Sequence, residues 1–154
     1  QLINMDSQAP NQVAWEWLQK DPANQNIRRE VRFGQSRFDF SFVRQGRPAL
    51  MEVKGVTLEQ DGTARFPDAP TERGVRHLQE LELALTQGYE AYVLFVIAMK
   101  GIRLFEPNKA THPEFAYALA HASKKGVKIL AYDCRVTKDS LEIDQPIPVR
   151  LEPV

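Results

Sequence analysis

The run "EAYVLFVIAM", residues 90–99, constrains the fold of this chain more than any other stretch. After Glu90 it is continuously apolar, the mark of a strand covered on both faces, as strands of parallel sheets are. "THPEFAYALAHASKKG" (111–126) then reads as a helix, with Thr111 and Glu114 at capping-box spacing and Gly126 as its stop. "VKILAYDC" (127–134) is a second buried strand. Strand, helix, strand in this order is a βαβ unit, which predicts two parallel strands joined by a right-handed crossover. With 154 residues, 43% of them hydrophobic, the chain can bury one substantial core around such a sheet. No apolar run approaches the roughly 20 residues of a membrane span, so no membrane partner is expected.

The first half adds an antiparallel part. "PNQVAWEWLQK" (10–20) has i,i+4 apolar pairs, Val13/Trp17 and Ala14/Leu18, and Asn11 is placed to cap a helix there. Spacing of this kind assigns Trp15 and Trp17 to packing before base stacking. "IRREVRF" (27–33) and "SRFDFSFV" (36–43) read as strands joined at Gly34-Gln35, and "ALMEVK" (49–54) follows the turn "RQGRP" (44–48). A polar segment (59–74) has a turn at Asp61-Gly62 and is stiffened by Pro67 and Pro70. A helix is predicted from about Thr71 to Gln87, with Val75, Leu78, Leu81 and Leu85 as its apolar stripe and Gly88 past its end. Arg73, His77 and Glu80 fall on the polar side of that helix. The tail, "SLEIDQPIPVRLEPV", is extended and proline-marked, a candidate edge strand or arm. The predicted order is α-β-β-β-α-β-α-β: an α/β domain with a mixed β-sheet flanked by helices.

Net charge is zero, so bulk electrostatics select no partner, but charge is unevenly placed. Residues 28–47 contain six arginines (Arg28, Arg29, Arg32, Arg37, Arg44, Arg47) against Glu30 and Asp39. A local excess of +4 carried entirely by guanidinium suits phosphate contacts, or else a solvated edge hairpin. Cys134 is alone and lies in an apolar strand, so neither a disulfide framework nor a Cys-rich metal site is expected. "QLINMDSQAP" lacks a signal-peptide pattern and an initiating Met, which leads to the expectation of a processed product or a piece of a longer chain.

Charges inside "ALMEVKGVTL" (49–58) raise the functional question. Glu52 and Lys54 share one side of a strand, while Ala49, Met51 and Val53 take the other. If "RQGRP" closes a hairpin with Val43 near Pro48, Asp39 falls opposite Glu52. Placing Phe38, Phe40 and Phe42 with Met51 and Val53 on one core side sends Asp39, Glu52 and Lys54 to the opposite face. Two readings then remain open. One is an exposed cross-strand salt-bridge cluster, worth roughly 0 to 1 kcal/mol. The other is a hard-cation site, in which two carboxylates hold Mg²⁺ with several waters and Lys54 positions a nucleophile or offsets developing charge. An Asp, twelve intervening residues, then Glu-x-Lys on adjacent strands is the pattern of the PD-(D/E)xK nuclease superfamily, although Phe38 stands where its proline usually precedes the Asp. Pro67-Asp68 follows the Glu-x-Lys and sits in a loop, so it is not that motif.

"REVRFGQSRFDFSF", "MEVKGVTLEQDGTARFPDAPTERGVRHLQEL", "LFEPN" and "GVKILAYDCRV" together resemble the C-terminal part of the sugar fermentation stimulation protein A (SfsA) family, from about residue 3 to the end. The resemblance implies a restriction-endonuclease-like domain spanning 1–154 without the family's N-terminal OB-like module. It implies DNA as partner, a cytoplasmic location, and Mg²⁺ or Mn²⁺ held by Asp39 and Glu52. Catalytic roles would fall to Asp39, Glu52, Lys54 and His77, with Arg28, Arg29, Arg32, Arg37 and Arg73 toward the phosphates. Glu16 is a candidate extra carboxylate on the first helix. Gly55 stands where many relatives carry a polar residue, so any ligand role there is lost. Two functions of different class follow: a Mg²⁺-dependent nuclease, or a regulator of sugar-metabolism genes that binds DNA without cutting it.

Overall fold

The apolar run at 90–97 becomes the centre of the sheet. The computed structural model describes residues 8–153, with α1 (Ala9–Lys20), β1 (Asn24–Phe33), β2 (Ser36–Arg44), β3 (Arg47–Val56), β4 (Leu58–Gln60) and β5 (Thr63–Phe66). There follow α2 (Glu72–Thr86), β6 (Glu90–Ile97), β7 (Leu104–Pro107), α3 (Pro113–Lys125), β8 (Lys128–Val136) and β9 (Leu141–Pro146). Six strands form one mixed sheet in the order β1-β2-β3-β6-β8-β9. β3, β6 and β8 are parallel, as the apolar runs require, while β1-β2, β2-β3 and β8-β9 are antiparallel pairs. The proline-marked tail supplies β9 at the sheet edge.

Each face of this sheet has its own core. On one side α2 and α3 bring Leu78, Leu81, Phe115 and Leu119 against Leu50, Val93, Phe95 and Ile97. On the other, α1 brings Val13, Ala14 and Leu18 against Phe40, Phe42, Met51, Leu94 and Val96. Covering both faces is what allows β6 to be buried from Ala91 to Ile97. Trp15 and Trp17 pack as their spacing predicts, Trp15 stacked on Phe40 and Trp17 against Tyr132. Among the described residues, no helix is long and apolar enough to cross a membrane.

Several local expectations are corrected. α1 begins at Ala9, with Pro10 in its first turn, so Asn11 lies inside the helix and does not cap it. α3 begins at Pro113 with His112 at the cap position, so Thr111 and Glu114 form no capping box. His112 is buried, and its Nδ1 accepts the Thr71 backbone N–H at 3.1 Å, tying the starts of α2 and α3 together. The polar segment after β3 holds the β4-β5 hairpin, and β5 pairs with β7 in a separate three-stranded sheet. Asp61 and Gly62, with φ of 53° and 84°, make its two-residue turn. Strands of three and four residues are too short to show a hydrophobic period, which is why the sequence pattern hides them.

Candidate functional site

The β2-β3 hairpin sets the geometry. Gln45 and Gly46, with φ of 52° and 75°, form its turn, and Val43 pairs with Pro48 as the turn length predicts. The ladder runs to Phe40↔Met51 and stops there. One step further in the same register, Asp39 faces Glu52. At this step the Val53 N–H donates to Asp39 Oδ2 at 2.7 Å, so a side chain meets the backbone donor where the strands part.

Asp39 occupies a switch in the hairpin. Phe40 and Phe42 pack into the α1 core, whereas Phe38 packs into the α2-α3 core. The expectation that all three phenylalanines share one side is therefore corrected. On the neighbouring strand, between the Arg29↔Phe40 and Val31↔Phe38 pairs, Glu30 takes a φ of 54°, a left-handed conformation that L-residues adopt at a cost. The roll of the hairpin at Glu30 and Asp39 aims the Asp39 carboxylate into the gap between β2 and β3.

Glu52 points from β3 toward α2 and is 5% exposed. His77 Nδ1 lies 2.6 Å from Glu52 Oε2, and Lys54 Nζ lies 2.9 Å from the same oxygen. A carboxylate only accepts, so His77 donates through Nδ1–H. The partner oxygen, Glu52 Oε1, is buried without a hydrogen-bond partner. The polar-face placement of His77 is corrected, because the residue is 4% exposed with its ring against Phe38. Gly74, His77, Leu78 and Leu81 are all buried, an i, i+3, i+4, i+7 stripe in which a histidine takes a core position. At Gly74 a Cβ would come within 2.9 Å of the Thr71 side chain and 3.2 Å of Phe115, so a larger residue would wedge α2 off its neighbours.

Electrostatics separate the two acids. Burial, then the Glu52 charge beside it, pushes Asp39 up from 3.8 to about 7, against the opposing hydrogen bonds from Val53 and Asn11. Burial would raise Glu52 as well, but the His77 hydrogen bond and the charges of Lys54 and His77 outweigh it and hold Glu52 below its usual range. Near neutral pH, Glu52 is thus ionised, and Asp39, raised to about 7, holds a proton part of the time with the Glu52 side chain as a hydrogen-bond partner. An ionised, buried oxygen without a partner beside a second carboxylate is a donor set that suits a hard cation. Among the described residues, no group of three or more His, Cys, Asp or Glu converges on a metal position. Two carboxylates therefore fit an ion that keeps much of its water shell.

Sequence-predicted residues away from this pair divide. Arg28, Arg29, Arg32 and Arg37 are exposed on the β1-β2 hairpin, with Arg32 directly opposite Arg37. Arg29 lies over the Trp15 ring at 5.0 Å, and Arg37 is 3.8 Å from Glu30. Arg73 is exposed at the start of α2, one turn before His77. Glu16 is exposed and bonds to Gln12, so α1 approaches the site instead through Asn11, whose Nδ2 donates to Asp39 Oδ1 at 2.9 Å. Asn11 is the contact that sequence reasoning missed, since capping residues and site residues look alike in a helix's first turn. Cys134 is buried, and burial, then the neighbouring Asp133 charge, pushes its thiol up to about 12, which makes it inert.

The family described as sugar fermentation stimulation protein RE domain matches residues 8–140. Sugar fermentation stimulation protein homologues from Desulfitobacterium hafniense (strain Y51) and Ruminiclostridium cellulolyticum are 56% and 51% identical over 152 residues. In both cases the match covers 97% of this chain and 67% of the relative. The solved structure of Pyrococcus furiosus SfsA in complex with Ca²⁺ superposes with a TM-score of 0.80 at 28% identity. That match covers 90% of this chain and 61% of the Pyrococcus chain. With a nuclease-like mixed sheet, a matching domain over most of its length and relatives above 50% identity, the chain belongs to the sugar fermentation stimulation protein (SfsA) family.

Proposed function

We propose that this chain is the cation-dependent centre of a DNA phosphodiesterase, with Asp39 and Glu52 holding Mg²⁺ or Mn²⁺. One observation carries the reading: Glu52 Oε1 is buried, ionised and unpartnered beside Asp39, where the β2-β3 hairpin splits. The Ca²⁺ in the Pyrococcus relative supports a divalent site of this kind. A bound divalent ion supplies Lewis-acid stabilisation of charge on a phosphoryl oxygen. The chain's own residues do the rest. Lys54 and His77 grip Oε2 and so present Oε1. Lys54, 17% exposed, also sets a positive charge at the rim, where charge develops on a phosphate. Arg28, Arg32, Arg37 and Arg73 hold neighbouring backbone phosphates, which belongs with a cytoplasmic protein that meets DNA.

Linear and supercoiled DNA incubated with Mg²⁺ or Mn²⁺ test the proposal. Wild type should cleave, and Asp39→Ala and Lys54→Ala should each lose about a hundredfold or more in rate. Cleavage by wild type no faster than by the variants would sink the catalytic claim.

A second reading rests on a specific contact. Lys54 pairs with Glu52 and His77 hydrogen-bonds to it, both through Oε2, as at a degenerate site that binds DNA without cutting. It predicts that log Kd depends linearly on log salt, that Arg28→Ala and Arg32→Ala each lower the slope by about one, and that Glu52→Gln leaves it unchanged. A flat salt dependence in filter-binding or anisotropy titrations would exclude this reading.

A further inference from the structure

We propose that Asn11 is a positioning residue that locks the Asp39 carboxylate for cation binding, and that Gly55 holds Asn11 in place. The inference rests on the cation site proposed above. Both oxygens of Asp39 are gripped by neutral donors from different elements. Asn11 Nδ2 donates to Oδ1 at 2.9 Å, and the Val53 N–H donates to Oδ2 at 2.7 Å. Held at both ends, the carboxylate cannot turn about its terminal torsion, so its remaining lone pairs keep one direction. Partners of this kind around a metal ligand typically control affinity by 10- to 100-fold.

The choice of an amide follows from the charges nearby. Asp39 already faces a second carboxylate, Glu52, one step beyond the Phe40↔Met51 pair. A third carboxylate at position 11 would add repulsion and offer no proton to donate. An amide donates without adding charge. Glu16, the carboxylate that α1 does carry, is turned to Gln12 at the surface.

The backbone beneath explains Gly55. A Cβ built there would lie 2.7 Å from Pro10 Cγ, closer than real side-chain contacts allow. Residue 55 therefore has no side chain because the first turn of α1 rests directly on β3 at that point. Pro10 immediately precedes Asn11, so the close approach at Gly55 sets how far Asn11 reaches toward Asp39. The missing polar side chain at 55 makes room for a helix that supplies a contact of its own.

Calorimetric titration of Ca²⁺ and Mn²⁺ into wild type, Asn11→Ala and Gly55→Ala, with the metal-free thermal midpoint of each, tests the inference. Asn11→Ala should bind both ions about 10- to 100-fold more weakly. Its metal-free midpoint should stay within about 3 °C of wild type, because the bond lost is a single part-buried one. Gly55→Ala, which displaces α1 without touching Asn11, should weaken binding in the same direction. Unchanged affinity in Asn11→Ala, or a lower midpoint with unchanged affinity, overturns the role. If wild type binds neither ion, the cation site itself fails, and that result is distinct from equal binding by wild type and Asn11→Ala.

Discussion

Asp39→Asn should make the metal-free protein more stable at pH 8 and abolish its stabilisation by divalent cations. Asp39 is pushed up to about 7 in the folded protein, against 3.8 for an ordinary aspartate. A raised carboxyl retains its proton on folding, so its contribution is favourable at low pH and is lost as pH climbs from about 4 to about 7. Above pH 7 the metal-free protein must hold two ionised carboxylates side by side. The full interval corresponds to roughly 4 kcal/mol as an upper bound. Asparagine removes that charge and keeps an acceptor for the Val53 N–H, but it competes poorly for the Asn11 amide. The expected net gain is about 1 to 2 kcal/mol, or about 2 to 8 °C for a domain of this size. Melting curves from pH 5 to 8 should fall for wild type and run nearly flat for Asp39→Asn. Added Ca²⁺ or Mg²⁺ should raise the midpoint of wild type only, by mass action on the folded state. A lower midpoint for Asp39→Asn at pH 8 would show that the Asp39 charge stabilises the fold, contrary to the cation-site reading.

His77→Ala should be the most destabilising single change at the site. His77 and Glu52 are both buried and share the shortest hydrogen bond of the cluster, 2.6 Å, while Lys54 on the same oxygen reaches toward solvent. Removing His77 takes away the shortest hydrogen bond to a buried carboxylate and leaves Lys54 to compensate the charge, at a cost of about 1 to 3 kcal/mol. A void beside Phe38 adds to it. Urea unfolding should show this loss in the free energy extrapolated to water. The double variant Glu52→Leu/His77→Leu should recover most of it, since a well-packed apolar pair is often as stable as a buried ion pair. A loss below about 1 kcal/mol for His77→Ala would mean that water already reaches Glu52. Recovery in the double variant, with DNA cleavage abolished, would mark the pair as kept for chemistry and not for the fold.

Patterns of short range were readable in the sequence. The apolar run at 90–99, the Gly126 stop and the strand read at 127–134 predict parallel β6 and β8 because burial on both faces leaves no polar alternation. The turn read at 44–48, with Val43 near Pro48, predicts the β2-β3 register, because the turn length sets which residues face each other. From that register alone Asp39 falls opposite Glu52. The Arg-rich hairpin and the inert Cys134 were equally legible from composition and periodicity. The histidine was not, because a buried His77 and an exposed one occupy the same helical position until the partner across the interface is known.

Local chemistry in the sequence thus determined the sheet, the hairpin and the pair of carboxylates that face each other. Only the tertiary structure decided what those carboxylates can do. Contacts between residues 28 positions apart (Asn11 with Asp39) and 25 apart (His77 with Glu52) settle which oxygen is held and which is left open. Such contacts depend on how two helices seat on opposite faces of one sheet, where Pro10 rests on Gly55 and Gly74 lets α2 settle close. Backbone period and turn length carry no record of that seating. It follows from the packing of both cores at once, and the site lies where those two cores meet at Asp39.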